Sequence, residues 1–532
     1  MSLVFEYNAA AAEPDRYRAD VACFIGFVAR RGGVPVPDAV RAQLAAAGWV
    51  DGIWKRAPEI IEQLTDLPVV CDSWDLFDQL YAWDARPLAA DAGTRCTTYL
   101  GAAVRSYFAR GGRRAVIIRV GDPWALLESG TERSAQRRAR LHLLIPAFPD
   151  ADHGTPALPF EPYNPAGWRG LYHLYGLREV SFVLMPDLAD ACAVDPPIPN
   201  LAPAPPLVPE GFVECSADEP VAVDTSLRHT PAPRLDESGY AGWRLALDAV
   251  RKFLDLPPRE VLFLAALPLP HVDARRVVDG SHIHAQADML AWLQRIGVFG
   301  SDDSVPYRPS QALVQLAWPW LRTQAAADLP EALEPPDGVL AGLIAASASL
   351  RGCHRSVAGD FSLARLRDVA DAEPVPAWGL GDTSPDGLLA QRVCLFAPQP
   401  EGWALQSDVT LAASPGWRFG GASRLMASIL RAARAVGDVL AFEPNGPAIW
   451  ARLKREIEEL LQEYWREGAF AGASASQAFS VRCDRSTMSQ ADLDAGRMIV
   501  LISVAPAVSI ERISVVLCLN NTAEISGLRE VA

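Results

Sequence analysis

At 532 residues, half of them hydrophobic, the chain exceeds what one core usually supports and carries ample apolar material for two or more domains. A formal charge of −15 and an isoelectric point near 5.1 argue against nucleic acid as a partner, because phosphates need a basic footprint. Nine cysteines without a CxxC pair read as reduced thiols of a cytosolic protein, and the sequence shows neither a secretory signal nor an apolar run of membrane-spanning length.

Taken in chain order, residues 2–8 alternate weakly through Leu3, Phe5 and Tyr7, and an Ala-rich tether leads to Asp20. The unbroken apolar run VACFIGFVA at 21–29 predicts a buried strand, and residues 37–64 a helical stretch. Helical periodicity returns at 74–83 and 97–110, the second with Leu100, Ala103, Val104, Tyr107 and Phe108 on one side. Gly111 and Gly112 end it, and AVIIRV at 115–120 is again a buried strand. A helix at 171–177 and a strand at 180–185 continue the alternation.

Residues 195–210 hold seven prolines in sixteen positions, which excludes regular helix or ladder strand and predicts a polyproline-like linker. Beyond it come a helix at 241–254, a strand at 261–267, a helix at 287–296, and the aromatic strand LVQLAWPWL at 313–321. A helix within 334–355, a strand at 392–397, a helix at 417–435 and a strand at 439–442 lead to the last module.

There Asn445 has the character of a helix N-cap and Pro447 suits the first turn, which loses no amide bond to proline. Ile449, Trp450, Leu453, Ile457, Leu460, Leu461, Tyr464 and Trp465 draw an apolar stripe down a helix of residues 448–468. Its other face carries Arg452, Lys454 and Arg455 among glutamates. A strand at 479–484, an acidic turn at 492–497 and strands at 498–504 and 513–519 complete the module.

The order of these pieces resembles the C-terminal module of contractile tail sheath proteins, found in myophages, R-type tailocins and related extracellular injection systems. The matching text is FEPN at 442–445, Trp450, GAFAG at 468–472, a strand ending in Cys483 and Asp484, DLDAGR at 492–497, and a strand ending in Ala505 and Pro506. A second landmark resembles the family at YLGAAVRSYFARGGRRAVIIRV, 99–120, and a third at 313–321 followed by EPPDGVLAGLIAASASLRG. Asp337 and Cys353 depart from the family's usual residues, as does the stretch 357–359, and only the strand survives at 392–397.

The resemblance implies an α/β fold: a mixed-sheet core of residues 21–120 and 311–510, an outer α/β domain inserted at 121–310, an N-terminal arm of residues 1–20 and a C-terminal arm of 511–532. It implies a structural subunit that polymerises with copies of itself around an inner tube protein and contracts, with baseplate and terminator or cap proteins as further partners. Assembly is expected in the cytoplasm, before the particle becomes part of a phage tail or is released. The arms would add strands to neighbouring sheets through Leu3, Phe5, Tyr7, Ile513, Val515 and Leu517, by pairing with unsatisfied edge amides and carbonyls. The tube-facing residues are expected to be Arg452, Lys454 and Arg455.

No catalytic residues, cofactor or metal are expected. His282 and His284, with His271, Asp273, Asp279 and Asp288, form an alternating loop pattern and not a converging ligand set. GDTSPDG at 381–387 has no nucleophile helix after it, GxSxG is absent, and neither GxxxxGK[ST] nor GxGxxG occurs. Two other readings stay open: a specialised sheath paralogue at a baseplate or in one section of a multi-sheath system, and an α/β enzyme without recognisable motifs.

Overall fold

The computed structural model describes residues 18–52, 54–89, 93–128, 130–149, 164–193, 227, 230–255, 260–270, 293–299, 310–373, 389–440, 443–507, 514–516 and 529–531. These fall into two units, one made by the chain up to Cys353 with Val357–Ala435, the other by His354–Ser356 and the chain from Val436 onward.

The first unit is built on an eight-stranded sheet. Its strands are β1 (Val21–Phe27), β2 (Pro68–Cys71), β3 (Arg114–Gly121), β4 (Phe182–Leu184), β5 (Leu262–Ala266), β6 (Val314–Trp318), β7 (Cys394–Gln399) and β8 (Gly402–Leu405), in the order β8-β7-β6-β5-β4-β1-β3-β2. The six inner strands run parallel, and β2 and β8 close the two edges antiparallel. Parallel strands are covered on both faces, so they read as continuous apolar runs. Along β1 the side chains alternate accordingly: Val21, Cys23, Ile25 and Phe27 enter the core on one face, and Ala22 and Phe24 the core on the other.

Two of these strands, β4 and β5, come from the segment 121–310, for which the sequence reading expects an inserted outer domain. They stand between β1 and β6 in the middle of the sheet, so that part of the expected insertion is core. The C-terminal module, expected within the same core, belongs instead to the second unit. The proline-rich stretch 195–210 lies outside the described residues, as do the histidines of 271–284 and the sequence GDTSPDG.

Helix α1 (Tyr99–Ala109) starts at Thr98, whose hydroxyl accepts from the Gly101 amide at 3.0 Å, and stops before Gly111 at φ +107°. Helix α2 (Glu237–Leu254) packs Tyr240, Trp243, Leu247, Val250 and Phe253 into the core on one face of the sheet. Helix α3 (Asp337–Arg351) lies against α1 at very close range. A Cβ added to Gly338 would fall 2.5 Å from the Cα of Ala103, and one on Gly342 would fall 2.7 Å from the Tyr107 carbonyl oxygen. Two glycines a turn apart let the backbones touch, and no larger residue fits.

Deeper in the unit, Arg424 Nη2 pairs with Asp408 Oδ2 at 2.6 Å, both side chains nearly sealed from solvent, and Gln315 Nε2 donates to Asp408 Oδ1 at 2.9 Å. The seven described cysteines are free and buried, and burial pushes the thiol of Cys192 and that of Cys394 up to about 12.

Several boundaries differ from expectation for local reasons. The stretch 37–64 breaks into helices Asp38–Ala46 and Pro58–Gln63, parted by Gly48 and Gly52, both at positive φ. Residues 170–175 form a 3₁₀ turn and not an α-helix. The helix expected at 417–435 begins as a short turn, Pro415–Arg418, breaks at the extended Phe419, and resumes as α4 (Gly420–Val439). Val439 is therefore helical, against the strand expected at 439–442: four more residues without proline continue the helix, and Leu440 N closes a last turn on the Gly437 carbonyl at 3.1 Å.

Candidate assembly surfaces

The first helix lying wholly within the second unit is α5 (Pro447–Arg466). Its cap is Gly446, and the Asn445 side chain is spent elsewhere: Oδ1 accepts from Trp450 Nε1 at 2.7 Å and Nδ2 donates to the Arg497 carbonyl at 3.4 Å. Asn445 thus clamps the first turn to a distant loop instead of capping it. Trp450, Leu453, Ile457, Leu460, Leu461 and Tyr464 are buried as the periodicity requires, at about 2 kcal/mol each before the entropy of ordering them is subtracted. Gly468, at φ +80°, ends the helix.

Of the residues expected to face a tube, Arg452 reaches Glu456 at 2.9 Å, Lys454 reaches Glu458 at 3.7 Å, and Arg455 reaches Glu459 at 3.9 Å, all one turn ahead. At about 100° per residue, Arg455 stands opposite the buried stripe and Arg452 and Lys454 flank it, in agreement with side-chain exposures of 68%, 47% and 44%. The three cations fan around the outer half of the helix in a lattice of glutamates, and do not form one cationic patch.

Two strands follow, β9 (Phe479–Arg482) and β10 (Leu501–Val504), paired antiparallel with Phe479 opposite Val504 and Arg482 opposite Leu501. The ladder runs on past the strand ends: Ala505 N donates to the Ala478 carbonyl at 2.9 Å, Ala471 N to the Ala505 carbonyl at 2.8 Å, and Ala507 N to the Ala469 carbonyl at 2.9 Å. Backbone groups alternate sides along a strand. Since Ala505 points toward β9, Ser503 and Leu501 do so too, which turns the N–H and C=O of Ile502 and Val504 outward. Among the described residues nothing pairs with either outer margin of this two-stranded sheet. Leu501 is 43% exposed there.

Between β9 and β10 the DLDAGR sequence builds a compact corner. Helix α6 (Gln490–Asp494) has a capping box, with Ser489 Oγ accepting from Asp492 N at 3.2 Å and Asp492 Oδ2 accepting from Ser489 N at 3.0 Å. Arg497 Nη2 donates to Asp492 Oδ1 at 2.7 Å, and Gly496 takes the left-handed turn at φ +67°. The Ser489 hydroxyl, with Arg497, lowers the Asp492 carboxyl to about 2. Thr487 Oγ1 donates to the Ile499 carbonyl at 2.9 Å and ties the corner to the approach of β10. The motif's aspartate, glycine and arginine thus each have a structural task.

Of the expected arm residues, Leu3, Phe5, Tyr7, Ile513 and Leu517 lie outside the described residues. Val515 sits in β11 (Ser514–Val516), which pairs antiparallel with β12 (Arg529–Val531), so the C-terminal strand is matched on one side by the chain's own end. Strand β12 has no counterpart among the elements expected from the sequence. Among the described residues no group of His, Cys, Asp or Glu is placed to hold a metal ion, and no helix is long and apolar enough to cross a membrane.

No family model matches the chain, and no curated protein does. Solved structures do. A chain in the cryo-EM structure of the anti-feeding prophage (AFP) baseplate in contracted state is 19% identical, with a TM-score of 0.55 over 98% of this chain and 100% of that one. Another, from the 6-fold symmetrised AFP baseplate, is 15% identical, with a TM-score of 0.52 over 98% and 99%. A third, from the AFP helical sheath in contracted state, is 17% identical, with a TM-score of 0.50 over 98% and 100%. At these identities the likeness is one of fold: the chain shares the α/β fold of these AFP chains.

Proposed function

We propose that the chain is the structural subunit of a contractile sheath, which polymerises around an inner tube and contracts to drive that tube through a target envelope. The observation that carries this reading is the fold shared with a chain of the contracted AFP helical sheath over nearly the full length of both. The two margins of the β9–β10 sheet, unpaired among the described residues, support it, because unpaired edge groups take up strands from other chains. The strands offered are those of Leu3, Phe5 and Tyr7 at one end and Ile513, Val515 and Leu517 at the other. The partners are then copies of this chain, an inner tube protein, and baseplate and cap proteins. The work is mechanical and not catalytic. Assembly takes place in the cytoplasm, and the finished particle is a phage tail or a released injection device.

A specialised role at a baseplate is the second reading. Two of the three neighbours above come from baseplate structures, and Asp337 and Cys353 depart from the usual sheath residues.

Negative-stain microscopy and sedimentation of the purified chain test the main reading. High-order tubes or rings are expected, and deletion of residues 1–8 should leave a folded monomer that no longer polymerises. A chain that stays monomeric at every concentration would remove the sheath reading, and tubes formed by the truncated chain would remove the N-terminal arm.

A further inference from the structure

Three buried acids lie against a single helix, and the proposed mechanical role uses none of them. On α1, Leu100, Ala103 and Ser106 follow at i, i+3 and i+6 and so share one face. Asp187, just beyond β4, meets the start of that face. Phe27 N donates to its Oδ2 at 2.7 Å, and a Cβ on Gly26 would fall 2.4 Å from that oxygen and 3.2 Å from Leu100 Cδ1. Asp337 opens α3 beside Gly338, the residue that touches Ala103, and its Oδ1 accepts from Gly338 N at 2.9 Å. Glu334 Oε1 accepts from Ser106 Oγ at 2.7 Å and from the Thr323 hydroxyl, while its buried Oε2 has no hydrogen-bond partner among the described residues.

The surroundings hold little to balance charge. Asp187 faces Arg86 and Asp190, with Tyr99 and Cys96 beside that pair; Glu334 faces Arg110 and Asp368; Asp337 faces Glu334 and Asp187 themselves. Both arginines are already engaged, Arg86 with Asp190 at 2.6 Å and Arg110 Nη2 with Asp368 at 3.1 Å. A carboxyl group sealed from water without a cation of its own keeps its proton. Burial accordingly pushes Asp187 and Glu334 up to about 7 and Asp337 well above the usual carboxyl range.

We propose that Asp187, Asp337 and Glu334 form a proton-held seam under α1: while protonated they let α1 and α3 close on the glycine contacts, and on losing their protons they part the two helices and loosen the subunit. This goes beyond the assembly reading and stands whether or not the chain polymerises. In the unfolded chain these acids titrate near 4, so between there and 7 the folded chain holds the extra protons. Stability is therefore greatest at the acidic end of that window and is lost as the pH rises through it, continuing above 7 for Asp337. Each retained proton changes the unfolding constant about tenfold per pH unit.

The test is denaturant unfolding of the full chain and of Asp187→Asn, Glu334→Gln and Asp337→Asn, at about pH 5 and about pH 8. The unfolding constant of the unsubstituted chain is expected to rise at least about a thousandfold between the two, with each neutral variant removing about tenfold or more of that rise. A flat response, or an equal rise in all variants, overturns the seam. Infrared spectroscopy of the unsubstituted chain at neutral pH is independent of how the variants fold: it should show a band from protonated carboxyl groups shielded from exchange, and absence of that band also overturns the proposal.

Discussion

Proline at Ile502 separates folding from assembly. The Ile502 N–H points away from β9, so a proline there removes no bond of the β9–β10 ladder, and edge strands tolerate it for that reason. A strand docked on the outer margin of β10 would make about four backbone bonds, each worth roughly 1 kcal/mol net. Ile502→Pro deletes the bond donated there and crowds the one beside it, a loss of about 2 kcal/mol, or roughly thirty-fold in the constant of that contact. Repeated at every subunit, this should prevent long polymers. The control is Ser503→Pro, which strikes the inward-facing side and should unfold the module itself. Thermal unfolding by circular dichroism, with sedimentation velocity and negative stain, reads both. Tubes of normal length from Ile502→Pro, at unchanged melting temperature, would show that no strand docks on the outer margin of β10.

Gly338→Ala should cost about 1–3 kcal/mol, because the new methyl meets the backbone of Ala103 and not a flexible side chain, and denaturant unfolding will show it as a lowered midpoint. Arg424→Ala leaves the Asp408 carboxylate buried without its partner and should destabilise by about 3–5 kcal/mol, seen as loss of soluble chain or a large fall in melting temperature. Reversing Arg452, Lys454 and Arg455 to glutamate breaks three exposed ion pairs, at about 1 kcal/mol in total, so the helix should survive in circular dichroism while co-sedimentation with tube protein is lost. Unchanged co-sedimentation would show those charges to be plain surface. Acidification toward pH 2 should open the α6 corner: the lowered Asp492 carboxyl stabilises it above the usual carboxylate range and ceases to as the pH falls through that value, which amide exchange at Asp492 and Leu493 will report.

The six inner strands of the large sheet were legible because parallel strands buried on both faces leave mainly apolar runs, as at 21–27, whereas the edge strands 68–71 and 402–405 were not foreseen. Helix α5 was legible from its stripe of six buried side chains, but its cap was not: Asn445 has the right chemistry, and only the three-dimensional position of Trp450 and Arg497 decides where its amide is spent. The membership of β4 and β5 in the central sheet is a matter of topology, which periodicity does not encode. The buried acids left one trace in the sequence, the carboxylate of Asp337 at the head of an apolar helix, where the family resemblance registers only a departure. Its meaning depends on Asp187, 150 positions earlier, which no local pattern connects to it.

The bare margins of the β9–β10 sheet also fix a number. A small sheet whose two margins are unpaired among the described residues can accept at two places, and under the proposed assembly the two arms would supply two further links. Units joined in that proposed way would make a net and not a string, and a net with one severed knot would still carry tension along every other path.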